Sequence, residues 1–313
     1  MRGNREQLFP RHFDQPGVLI RLVHQRTVDA VAPAPEPGVV AGARRKSWRV
    51  RPIKFVGPVA VFALFLLVWQ SISASLNPRR QFLMPSPGEV WRNGFYNSTV
   101  RGEILDATWQ TAREAIVGLA IAVVIGVGLA IVMCQAKWIE RSLFPWAVAL
   151  QTIPILALVP FIQIRYGFEF KSRVIVCALI AVFPIMTNTL FGLQSADEGH
   201  HDLFTLHRAG RARRLGKLQL PGALPAMFTG FRISAGLSVV GAIVGEFFFR
   251  RGETGLGHLI EKFRALRSPT DPQALFATII VACLLGIVVF LGFSLLGRLS
   301  TRSWYEPASS SLE

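Results

Sequence analysis

Residues 274–297 read Ala-Leu-Phe-Ala-Thr-Ile-Ile-Val-Ala-Cys-Leu-Leu-Gly-Ile-Val-Val-Phe-Leu-Gly-Phe-Ser-Leu-Leu-Gly, without a single charged side chain. A run of about 20 apolar residues crosses the hydrocarbon core of a bilayer as a helix. Lipid offers no partner to backbone N–H and C=O groups, so such a run bonds internally unless it belongs to a closed barrel. Barrel strands alternate in polarity over about 10 residues, and this stretch does not alternate. Five more apolar segments precede it, at approximately 55–76, 107–133, 138–164, 174–193 and 226–249. The third holds Pro154 and Pro160 and is expected to kink or break. The chain therefore reads as an all-α membrane protein of about six transmembrane helices, multi-pass in the cell inner (plasma) membrane, with lipid as its first partner.

Composition points the same way. Charged residues make up 17% and the mean hydropathy is +0.41, whereas a soluble domain carries about 25% charged residues. A net charge of +15 would suggest nucleic acid in a soluble protein. In a membrane protein, basic residues collect on the cytoplasmic side, so no nucleic-acid partner is expected. With the N-terminus inside, the inner segments hold 20 Lys and Arg and the outer segments 12. This bias places both termini in the cytoplasm.

Residues 1–54 form a basic tail expected to be largely disordered. Its Ala32–Gly38 stretch, with three prolines, sustains neither helix nor central strand. The first 30 residues lack an apolar core behind a basic start, so the tail is not read as a signal peptide. Residues 55–300 form the transmembrane domain, and 301–313 a short cytoplasmic tail.

Little in the chain suggests catalysis. Gly210 to Lys217 resembles a phosphate-binding loop, but it has five residues between its glycines and Leu218 where Ser or Thr is needed. Cys134, Cys177 and Cys283 lie in apolar surroundings without metal-ligand spacing. No catalytic residue, no metal and no cofactor is assigned to this chain.

The segment from Gln194 to Pro225 is too long for a simple connector. It carries Arg208, Arg211, Arg213, Arg214 and Lys217 among Leu203, Phe204, Leu206, Leu215, Leu218 and Leu220. Leu203, Phe204, Leu206 and His207 fall at helical spacing, which implies a short amphipathic helix. Such a helix can lie on an anionic membrane surface or dock in a groove of a partner protein.

Within the apolar segments, Gly118, Ala122, Gly126 and Ala130 are spaced by four, as close helix packing requires. Gly230, Ser234, Ser238, Ala242 and Glu246 repeat that spacing with polar members. This second stripe suits helix packing or the lining of a solute path; Glu246 favours the path, although it can also reach Arg250 one turn on. Asn188 is a further path candidate. Arg113 and Glu114 open segment two and Arg232 opens segment five, where long side chains reach the headgroups.

The loop carries a family resemblance. His207-Arg208-Ala209-Gly210 through Leu218-Gln219-Leu220-Pro221-Gly222-Ala223-Leu224-Pro225, then Gly230-Phe231-Arg232, resembles the cytoplasmic signature of binding-protein-dependent ATP-binding cassette (ABC) importer permeases. Four further stretches are similar to the nitrate, taurine and alkanesulfonate branch. They are Met84–Val90, Ile153–Pro160, Phe183–Leu193, and Gly241–Phe247 followed by Gly255-Leu256-Gly257. Arg208 stands where the signature usually has glycine, Leu203 and Phe204 replace its Ala-Ala pair, and Lys171-Ser172 reorders an outer S-K.

The resemblance implies a type I importer permease that translocates a small solute delivered by an extracytoplasmic binding protein. It implies a second permease subunit, expected as a homodimer, and separate cytoplasmic ABC ATPase subunits that hold the ATP and Mg. It also implies a coupling helix within the loop at about 194–225, with Leu203, Phe204, Leu206 and His207 as groove contacts and Arg208 and Arg211 as charge partners. Asn188, Ser234, Ser238 and Glu246 are the expected path residues. The alternative is a stand-alone channel or secondary transporter, which would often show paired broken helices in two similar halves; only one proline-broken segment is visible.

Overall fold

The structure, a computed structural model, describes residues 53–77, 83–249, 251–265, 268 and 270–301. Residues 1–52 and 302–313 of the two tails assigned above, and Arg250, lie outside the described residues. The chain divides at Pro58, and the account below concerns the unit Val59–Glu313.

Every regular element among the described residues is helical. The longer ones are α1 (Ile53–Ser75), α2 (Ser98–Cys134), α3 (Lys137–Thr152), α4 (Ile155–Tyr166), α5 (Phe170–Gln194), α6 (Glu198–Leu206), α7 (Leu220–Phe248), α8 (Leu256–Arg264) and α9 (Asp271–Thr301). Five helices are long and apolar enough to cross a membrane, or six if the bent pair α3–α4 counts as one span. That pair turns by 96°. The break falls at Ile153-Pro154, where proline supplies no N–H and biases the preceding residue to extended backbone. Pro160 is accommodated inside α4.

The local signals are ordinary capping chemistry. Ser86 and Glu89 form a capping box around a short helix, Pro87–Glu89, with proline in its first turn. A π-helical turn, Val90–Phe95, continues it. Asn97 then caps α2 by accepting from the Thr99 amide.

Helix α5 lies between α2 and α7, and small residues set the distances. On α2, Gly118 packs against Cys177 and Gly126 against Ile185. On α7, Gly230 packs against Asn188 and the Pro184 carbonyl, and Gly241 against the Cys177 backbone. A methyl at any of these glycines would overlap its neighbour. Gly118, Ala122, Gly126 and Ala130 are all buried, as are Gly230, Ser234, Ser238, Ala242 and Glu246. Membrane helices have no water to drive them together, so backbone proximity of this kind supplies the attraction. The outer faces of α1 and α9 stay apolar and exposed, for example at Phe62, Leu67, Val288 and Leu295, as suits lipid.

Candidate functional site

Two regions concentrate polar chemistry, at opposite ends of the bundle. The first is the segment following α5. Asp197 caps α6 by accepting from the Gly199 amide at 2.7 Å. Helix α6 ends in a Schellman turn: the Arg208 amide donates to the Thr205 carbonyl and the Ala209 amide to the Phe204 carbonyl, each at 2.9 Å. This turn needs a left-handed residue after its cap, and Arg208 supplies it with φ of 51°. The position where the family signature usually has glycine is thus the one where the backbone favours glycine. The chain then runs through Arg211–Arg214 and a π-helical stretch, Leu215–Gln219, into α7. Arg214 donates to Thr205 Oγ1 at 2.9 Å and ties the returning chain to α6.

The side chains at this tip point outward. Leu203 is 53% and Leu206 80% exposed. His207, Arg208 and Arg211 are exposed, and Phe204 is half-buried. The structure places Leu203, Phe204, Leu206, His207 and Arg208 on α6 and the turn that ends it, while Arg211 opens the next helical turn.

The expected path residues are placed differently from one another. Asn188 is half-buried and donates to the Pro184 carbonyl at 2.8 Å. Ser234 is fully buried and donates to the Ala181 carbonyl at 2.7 Å, across the α5–α7 contact. Ser238 is buried and bonds back within α7 to Ala235.

Glu246 belongs to a second region that pattern reading did not assemble. Glu246, Glu114 and Arg173 are 0%, 2% and 1% exposed. Arg173 Nη1 meets Glu114 Oε1 at 2.9 Å. Its other N–H groups donate to the carbonyls of Phe249 and Arg251, and Nη1 also reaches that of Glu253. One guanidinium thus gathers the whole stretch after α7. Glu246 Oε1 accepts from Thr111 Oγ1 at 2.7 Å, and its Oε2 accepts from the Gly257 amide. The Leu256 amide donates to the same Thr111 oxygen at 2.8 Å. Gly255 lies so close to the Glu246 carboxylate that a Cβ there would collide with it.

One expectation is corrected here. Glu114 does not open a helix or reach headgroups: α2 begins at Ser98, and Glu114 is buried against Arg173. Arg113 beside it is exposed and pairs with Glu253 at 3.0 Å. Among the described residues Glu246 is held by Thr111 and Gly257; Arg250, its expected partner one turn on, lies outside them. A sequence signal existed in three ionisable residues bordering or inside apolar segments, but nothing local pairs residues 114, 173 and 246.

Comparison with known proteins agrees with this architecture. Residues 106–303 match the family described as binding-protein-dependent transport system inner membrane component. The formylaminopyrimidine transport permease of Halalkalibacterium halodurans is 33% identical over 80% of this chain and 95% of its own length. The riboflavin transport system permease of Chloroflexus aurantiacus is 31% identical over 82% of this chain and 96% of its own. The nitrate import permease of a Synechocystis species is 28% identical over 66% of this chain and 76% of its own. Among solved structures, the inward-facing MetNI methionine ABC transporter superposes with a TM-score of 0.58 at 16% identity, covering 66% of this chain and 100% of that one. The chain belongs to the binding-protein-dependent transport system inner membrane components, the membrane-spanning permease subunits of ABC importers.

Proposed function

We propose that this permease works by docking the α6 tip, with its Leu203, Phe204, Leu206 and His207 face, into a groove on a separate cytoplasmic ABC ATPase, with Arg208 and Arg211 as charge partners. The observation that carries this reading is the exposure of Leu203 and Leu206 on a helix stopped at both ends by defined caps. Exposed leucines beside arginines on a rigid tip are what a helix-in-groove contact uses. Rigid-body motion of the ATPases would then pass through α6 and Leu215–Gln219 into α7, and rock the bundle between its two faces.

In this reading both termini are cytoplasmic, residues 1–54 and 301–313 are tails, and 55–300 form the permease domain. A binding protein delivers a small solute at the opposite face, and a second copy of the chain completes the path. Asn188, Ser234, Ser238 and Glu246 are proposed to contribute to that path. Their polar groups are engaged inside the chain, so they would reach solute in a state of the cycle where those bonds open. Relatives named for formylaminopyrimidine, riboflavin and nitrate share this scaffold, so the solute is assigned only as small.

The test is co-purification from native membranes in mild detergent. The tagged wild-type chain should recover an ATPase subunit, and Leu203→Asp with Leu206→Asp should lose it while the permease still inserts. Solute uptake into liposomes by the purified chain alone, with no ATPase recovered, would sink the reading in favour of a stand-alone channel or secondary transporter.

A further inference from the structure

A notch of about 160 Å³ opens between α7 and α9, at the end of the bundle nearer the α6 tip, lined by Phe228, Thr229, Arg232, Ser294, Arg298 and Thr301 among others. At about 30 Å³ of liquid volume per water, it has room for roughly five waters. No acidic residue lines it. Among the described residues, neither Arg232 nor Arg298 has a hydrogen-bond or ion-pair partner; Arg232 lies over the Phe290 ring at 5.9 Å.

Depth brings this arrangement to the level of the lipid headgroups. Arg232 sits sixteen residues before Phe248 on α7, about 24 Å along the axis at 1.5 Å per residue. A hydrocarbon core is about 30 Å thick. Arg232, half-buried, is therefore near the core boundary, where an arginine side chain reaches the headgroup phosphates. The hydroxyls of Thr229 and Thr301 already donate to the Pro225 and Gly297 carbonyls. The donors left among the residues lining the notch are two guanidinium forks and the Ser294 hydroxyl. Two forks with hydroxyl support match the tetrahedral oxygens of a phosphate, which arginine binds in bidentate fashion.

We propose that Arg232 and Arg298 form a phosphate-binding notch, which holds α7 to α9 through a shared anion. That phosphate is carried by an anionic lipid headgroup at the inner interface or is free in the cytoplasm. The site is separate from the coupling tip and does not depend on what docks there.

The experiment uses the full chain, purified with the subunits that accompany it, in nanodiscs of phosphatidylcholine alone or mixed with phosphatidylglycerol. Unfolding temperature and retained lipid by native mass spectrometry are the readouts. Phosphatidylglycerol should raise the unfolding temperature and stay bound, and Arg232→Gln and Arg298→Gln should each weaken retention about tenfold, the loss of one charge-assisted contact. The same shift from inorganic phosphate in phosphatidylcholine discs, lost in the same variants, would assign the notch to free phosphate. No shift from either probe overturns the proposal. So does an equal loss in Lys217→Gln, which lies outside the notch, because the effect would then be general surface charge. Arg298 is exposed, so its variant keeps the test decisive should Arg232→Gln fail to insert.

Discussion

The Arg173 guanidinium and the Glu114 carboxylate meet at 2.9 Å with almost no solvent exposure on either side. They join the start of α5 to the middle of α2. The same guanidinium accounts for the carbonyls of Phe249, Arg251 and Glu253. Removing one partner of a buried pair leaves an uncompensated charge, at a cost of about 3–5 kcal/mol. Arg173→Met should therefore lower the unfolding temperature strongly. Combining it with Glu114→Gln should cost less than the two single losses added, because no lone carboxylate remains. Thermal unfolding of the four proteins in detergent gives that cycle. Strict additivity would show that the pair does not act as a unit.

Glu246 gives a second expectation, about space. Its carboxylate rests against the Gly255 backbone and accepts from the Gly257 amide. Gly255→Ala should displace the carboxylate and cost stability in the range of overpacking, about 1–3 kcal/mol. Gly236 and Gly286 have open space around them, so alanine at either should be near neutral. Equal effects at Gly255 and Gly236 would show that the cradle does not hold Glu246.

Much of this architecture is legible in the amino-acid sequence alone. The apolar runs located the long helices, because a bilayer sets both their length and their polarity. Pro154 marked the α3–α4 break, and the four-residue spacing on α2 marked the face toward α5, since both are local consequences of backbone geometry. The short helix α6 is legible from amphipathic spacing; its coupling role rests on resemblance and belongs to the proposal above. The Arg173 cluster was not. Its members are separated by 59 residues between Glu114 and Arg173, and charge type says nothing of which helix meets which. Arg173 directly precedes an apolar run, where a charge carries no local sign of burial; the packing of α5 between α2 and α7 buries it.

The serines of α7 separate packing from transport. Ser234 bonds to the Ala181 carbonyl across the helix contact, and such bonds in membrane bundles are worth about 0.6 kcal/mol on average. Ser234→Ala and Ser238→Ala should therefore change the unfolding temperature little. If these hydroxyls serve the solute in another state, uptake by the reconstituted importer should fall in the same variants. Unchanged uptake would remove both residues from the path and leave them as packing groups.

Arg208 sets stability against partnership at one residue. Its φ of 51° is a left-handed backbone, which costs a side-chain-bearing residue about 1–2 kcal/mol relative to glycine. Arg208→Gly should firm the Schellman turn by about 1 kcal/mol, which is roughly fivefold slower amide exchange at Arg208 and Ala209. The same change removes a guanidinium proposed to face the ATPase. Arg208→Gly should thus slow exchange and weaken ATPase recovery together, whereas Arg208→Lys should keep both the recovery and the strain. If Arg208→Gly slows exchange and leaves recovery intact, the side chain is not a charge partner, and the turn's geometry is what the position contributes. If exchange does not slow, the left-handed turn at the end of α6 is not the one the chain adopts.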